Sequence, residues 1–67
     1  MFNQNLLKAK AIEKGLSLAV LAQAIGKNEA TFYRKLARDG DFSRFEIQCM
    51  VNKLGLNSKE RDAIFFS

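Results

Sequence analysis

Residues Ser17 to Leu36 read "SLAVLAQAIGKNEATFYRKL", and the reading of this stretch decides the fold. Ser17 stands where a helix N-cap belongs, because a serine hydroxyl accepts a hydrogen bond from an amide in the first turn. Gly26 stands where a left-handed residue closes a helix. Asn28 then caps a second helix, and Glu29 sits in its first turn, where the helix dipole favours a negative charge. Two short helices meeting around one glycine are predicted. Between Leu18 and Ile25, however, the only polar side chain is Gln23. A surface helix of a small domain carries one apolar stripe and one polar face. We therefore expect part of the outer face of this helix to be covered by something.

The same punctuation extends in both directions. A first helix starts near Asn3 or Asn5, turns Leu7, Ala11 and Ile12 inward and Lys8, Lys10, Glu13 and Lys14 outward, and stops at Gly15. Beyond Leu36, "ARDGDFS" (Ala37 to Ser43) reads as a turn bending at Gly40. A fourth helix follows Ser43, with Ile47, Met50, Val51 and Leu54 at one-face spacing, and ends near Gly55. "NSKE" (Asn57 to Glu60) reads as a capping box opening a fifth helix through Phe65. No repeat, linker or low-complexity segment interrupts the chain. The expected fold is all-α: five short helices forming a single domain over residues 1–67.

Length and composition narrow the function. A chain of 67 residues buries only ~60% of its unfolded surface and depends on efficient packing. The single cysteine, Cys49, cannot form an internal disulfide, which fits a reducing cytoplasm. No segment approaches the ~20 apolar residues of a membrane span, and the N-terminus lacks the order of a signal peptide. No membrane partner is expected. There is no histidine, no phosphate-cradling glycine loop and no metal-ligand cluster around Cys49. Enzymatic activity, a cofactor, a metal and a small-molecule substrate are accordingly not expected. The net charge of +4 is unevenly spread. Residues 1–38 carry seven cations against two carboxylates, +5, and residues 39–67 carry four against five, −1. A basic half points to an anionic polymer, since Lys and Arg displace counterions from polyphosphates. These cations lie on several helices rather than along one polar face, unlike a membrane-surface helix.

A short glycine-containing turn that sets two helices at a steep angle is helix-turn-helix geometry. Ala22 is small enough for close approach, Gly26 tolerates a positive φ, and Leu21, Ile25 and Phe32 suit the angle between the helices. Any compact helical hairpin needs similar residues. More specifically, "KGLSLAVLAQAIGKNEATFYRKL" (Lys14 to Leu36) resembles the core of the lambda-repressor-like family of phage and bacterial regulators. "TFYRKL", an acidic-glycine turn, "F-S-x-x-E-I" and a terminal "IFF" resemble a narrower group, the very small Cro-like and repressor-modulating proteins of temperate phages. The similarity runs from Leu7 to Phe66. It implies five helices, DNA binding through helix three, and a part in the choice between lysogeny and lytic growth in a bacterial cytoplasm.

The residues that would carry DNA binding lie on the outward side of helix three. By spacing, Asn28, Glu29, Ala30, Tyr33 and Arg34 face away from Phe32 and Leu36. Arg34 can pair with guanine O6 and N7, and Glu29 can accept from cytosine N4. Asn28 can pair with adenine or remain an N-cap. Tyr33 can touch a phosphate or a thymine methyl. Ser17, Lys27, Lys35 and Arg38 flank this surface as candidate phosphate contacts. The partner would be double-stranded operator DNA, bound by a homodimer or by a heterocomplex with a phage repressor.

The chain also departs from the family pattern. Leu18 stands where a phosphate-touching glutamine is usual, Ala19 and Val20 stand where charges are usual, and Lys35 replaces a common aliphatic, its core role passing to Leu36. Leu18 and Val20 on helix two form one apolar patch. Phe45 and Cys49, four apart on helix four, form another. Ile64, Phe65 and Phe66 are consecutive, and one helix cannot turn all three inward. Clustered apolar surface marks interaction sites, so Leu18, Val20, Phe45, Cys49, Phe65 and Phe66 are candidate protein contacts. They favour a rival function: an antirepressor or modulator acting mainly on the repressor protein.

Overall fold

In the computed structural model, which describes residues 1–66, the elements are α1 (Gln4–Glu13), α2 (Leu18–Ala24), α3 (Glu29–Ala37), α4 (Arg44–Leu54) and α5 (Ser58–Phe65). No strand occurs among the described residues. Each helix begins on a polar side chain that accepts from an amide three residues on. Asn3 takes the amide of Leu6, Ser17 that of Val20, Asn28 that of Thr31, Ser43 that of Glu46 and Asn57 that of Glu60. Each such cap contributes about 1 kcal/mol. The expected capping box at Asn57–Glu60 is present, and Ser43–Glu46 forms a second one.

The core draws on every helix: Leu7 and Ala11, Leu21 and Ala22, Phe32 and Leu36, Met50 and Leu54, Ile64 and Phe65, with Ile25 and Leu56 from the connections. Helix α2 packs against both α3 and α4, and α1 packs against α5. A helix with two neighbours buries a wider arc than one stripe. That accounts for much of the apolar character of α2. Leu18 is half-buried on the core, while Val20 is only partly covered and stays outside that packing.

Two inward or outward assignments need correction. Ile12 is 78% exposed, because Leu7 and Ala11 already define the inner stripe and the next residue is rotated about 100° from it. Phe65 is not a surface contact but 8% exposed, with the Phe2 ring stacked on it at 5.8 Å. The neighbouring backbone fixes this arrangement, since the Asn3 amide donates to the Ile64 carbonyl at 2.7 Å. Of the three consecutive residues, Phe66 is the one left outside, 60% exposed. Cys49 is half-buried and packs against the core, so it adds less to the surface than Phe45, itself 72% exposed.

The connection from α3 to α4 is held by Lys35. Its carbonyl accepts from the amides of Arg38, Gly40 and Asp41, and its ammonium donates to the Asp41 carbonyl at 3.1 Å. The same ammonium lies 3.4 Å from Glu46, a carboxylate only 5% exposed. Burial pushes the Glu46 carboxyl upward, but the Ser43 amide at 2.9 Å and the Lys35 ammonium outweigh it and hold it below the ordinary 4.5. At the other end, Lys10 donates to Glu60 at 2.6 Å and ties α1 to α5. The Lys10 ammonium and the Asn57 amide likewise hold Glu60 below 4.5.

Depressed carboxyl pKa values make stability depend on acid. Their contribution is complete above 4.5, the ordinary value, and is lost as pH falls through the folded-state values below it. The melting temperature should therefore be level near neutrality and fall below about pH 4.5. Glu46→Gln should lower the neutral plateau and flatten part of the acid slope. A Glu46→Gln profile parallel to the wild-type one would show that this carboxylate carries no linkage.

Candidate nucleic-acid interface

Gly26 separates α2 from α3. Its φ of 74° is left-handed, and the amide of Lys27 donates to the Ala22 carbonyl at 3.0 Å, closing α2. Only Lys27 then intervenes before Asn28 caps the next helix, with its Oδ1 accepting from the Thr31 amide at 2.8 Å. Phe32 and Leu36 anchor α3 in the core from one side.

Asn28, Glu29, Ala30, Tyr33 and Arg34 are all exposed. At about 100° per residue Ala30 and Arg34 lie opposite the anchors and Tyr33 to one side. Asn28 and Glu29 instead lie on the anchor side and are exposed because they stand at the open N-terminal end of α3. Among the described residues, neither Glu29 nor Arg34 makes an ion pair. The Tyr33 ring meets Phe32 edge-on at 6.3 Å between centroids, and the residue is 48% exposed. Asn28 serves as a cap through its oxygen, which leaves the amide nitrogen to donate outward. An arginine, a glutamate and an amide thus project from one stretch of about two helical turns.

The flanking cations divide. Lys27 and Arg38 are exposed, and neither takes part in an ion pair among the described residues. Ser17 is exposed, and its oxygen is occupied by the Val20 amide at 3.2 Å, leaving the hydroxyl proton to donate. Lys35 is the exception. Its ammonium is turned to Glu46 and the Asp41 carbonyl, so it braces the end of α3 rather than reaching outward. Glu46 is a positioning residue that the charge pattern alone did not single out. The S-x-x-E spacing from Ser43 was the available signal, and it appears as the second capping box.

Among the described residues, no group of His, Cys, Asp or Glu is arranged to hold a metal ion. Among the described residues, no helix is long and apolar enough to cross a membrane. Compared with protein-family models, curated proteins and solved structures, the chain matches none.

Proposed function

We propose that this chain is a small DNA-binding regulator that reads duplex DNA through the outward face of α3. One observation carries the reading. A short, separately capped helix is anchored by Phe32 and Leu36 and presents Asn28, Glu29, Ala30, Tyr33 and Arg34, all solvent-exposed. A major groove admits one α-helix, and guanidinium, carboxylate and amide groups are the ones that distinguish base edges. Ser17, Lys27 and Arg38, all exposed, would then meet phosphates, which fixes register without reading sequence. Helices α2 and α3 then act as a helix-turn-helix. The resemblance to the small Cro-like proteins of temperate phages adds the biological setting, a lysogeny switch. In a dimer, two copies of α3 would address half-sites one DNA turn apart.

Selection from a pool of randomised duplexes tests this reading. A common short sequence should be enriched, and its binding should weaken steeply as salt rises. Arg34→Ala should relax discrimination at one base position by about 1–3 kcal/mol while leaving the fold intact. Unchanged preference in that variant would remove Arg34 from base reading. Failure to enrich any sequence would remove the function itself.

A second reading rests on exposed apolar side chains. Val20 is incompletely covered, and Phe45 and Phe66 lie largely in solvent. A repressor modulator would use them to bind the repressor protein. Its signature is a mobility shift on operator DNA that appears only when the repressor is present.

A further inference from the structure

Between α4 and α5 lies a groove of about 470 Å³, lined by Arg44, Ile47, Gln48, Arg61 and Phe66. None of these residues belongs to α3, and none has a part in the DNA reading above. Arg44, Ile47 and Gln48 recur at the spacing of one helical face, and that face of α4 is incompletely covered by the chain. Ile47 is half-buried and packs onto the core from the groove floor, and Phe66 forms an apolar wall. The Arg61 guanidinium lies 6.0 Å from the centre of the Phe66 ring, and its Nη2 is 3.0 Å from Asp62. Arg44 makes no ion pair among the described residues.

An apolar surface beside an unpaired Arg44 and an Arg61 shared with Asp62 leaves the groove net positive, which favours an amphipathic anion. We infer that this groove docks an acidic amphipathic helix of a partner protein, with an aromatic or aliphatic side chain on Ile47 and Phe66 and carboxylates on Arg44 and Arg61. Charge complementarity makes the choice. The unpaired Arg44 repels a basic segment, and a second copy of the same groove would set the two Arg44 charges face to face. Nucleic acid would satisfy the arginines but gain nothing from Ile47, whereas an apolar anchor on a helical peptide covers it. Helix-in-groove binding divides the work in the same way, with apolar anchors for affinity and flanking charges for partner choice.

The probe is a synthetic acetylated and amidated helical peptide with Phe and Leu on one face and Glu on both flanks. A second version carries Lys in place of every Glu. Amide chemical shifts of the labelled full chain are followed as each is added. The acidic peptide should move Arg44, Ile47, Gln48, Arg61 and Phe66 together. The basic peptide should bind more weakly. Arg44→Gln should weaken the acidic peptide by up to about fivefold, the upper range for an exposed charge pair. Arg61→Gln should weaken it less because Asp62 already shares that charge, and Arg34→Ala should leave its affinity unchanged. Equal affinity for both peptides, shifts centred on another surface, or no binding at all would overturn the assignment. A random-sequence DNA duplex that moves these five residues would instead make the groove part of a nucleic-acid surface and likewise overturn it.

Discussion

Phe32→Ala should leave little folded protein. Removing a fully buried phenylalanine costs about 3–5 kcal/mol, the lost transfer energy plus the cavity left behind. At roughly 0.05–0.15 kcal/mol per residue, a chain of 67 residues is stable by only about 3–10 kcal/mol. The loss thus takes a large share of the total, and at the lower end all of it. Collapse into the cavity cannot compensate easily, because the Phe32 ring also meets Phe42 at 5.7 Å and supports Tyr33 at its edge. Urea unfolding followed by circular dichroism measures the change. A cost below about 1 kcal/mol would mean that α3 is not anchored through Phe32, and the outward placement of Arg34 would lose its support.

Gly40→Ala should cost nearly as much for a different reason. Gly40 has a φ of 72°, and the preceding Asp39 is also left-handed at 60°. A side chain in that region costs about 1–2 kcal/mol. A Cβ on Gly40 would also enter the Phe2 ring, lying 2.7 Å from both Cδ atoms. Relief by moving Phe2 would uncover Phe65 and break the edge contact with Phe42 at 5.9 Å. Overpacking of this kind adds about 1–3 kcal/mol, for a total of roughly 2–5 kcal/mol. A double-mutant cycle separates the two causes. With Phe2→Ala already present, which removes the Cγ and both Cδ atoms, Gly40→Ala should lose the overpacking cost and keep only the backbone cost. Strict additivity would show that the ring and the glycine do not press on each other.

These two sites also show what could be read from the residues and what could not. Caps and glycines are local signals, so Ser17, Gly26, Asn28 and Asn57 marked helix ends directly. The exposure of Ala30 and Arg34 agrees with their spacing against Phe32 and Leu36, whereas Asn28 and Glu29 lie on the anchor side by the same spacing and are exposed at the helix end. Contacts distant in sequence carried no such signal. Phe2 meets Phe65 because the N-terminus bonds back to α5, and nothing in "IFF" alone tells which two of its residues turn inward. Ile12 was misplaced because α1 hardly segregates apolar from polar side chains, so its apolar content does not fix its direction. Lys35 read as a surface cation because its partner, Glu46, lies eleven residues away, across a turn whose path depends on two left-handed residues. The apolar excess of α2 was readable as demand for cover, but that α3 and α4 supply most of it is a property of the tertiary arrangement.

The central claim is that the exposed side of α3 meets the DNA, and amide chemical-shift mapping with the selected duplex addresses it most directly. The account predicts that the largest shifts fall between Asn28 and Arg34, with smaller ones at Ser17, Lys27 and Arg38, and that Arg34→Ala diminishes them. Shifts absent from α3, or concentrated on α1 and α5 while α3 stays silent, would contradict it.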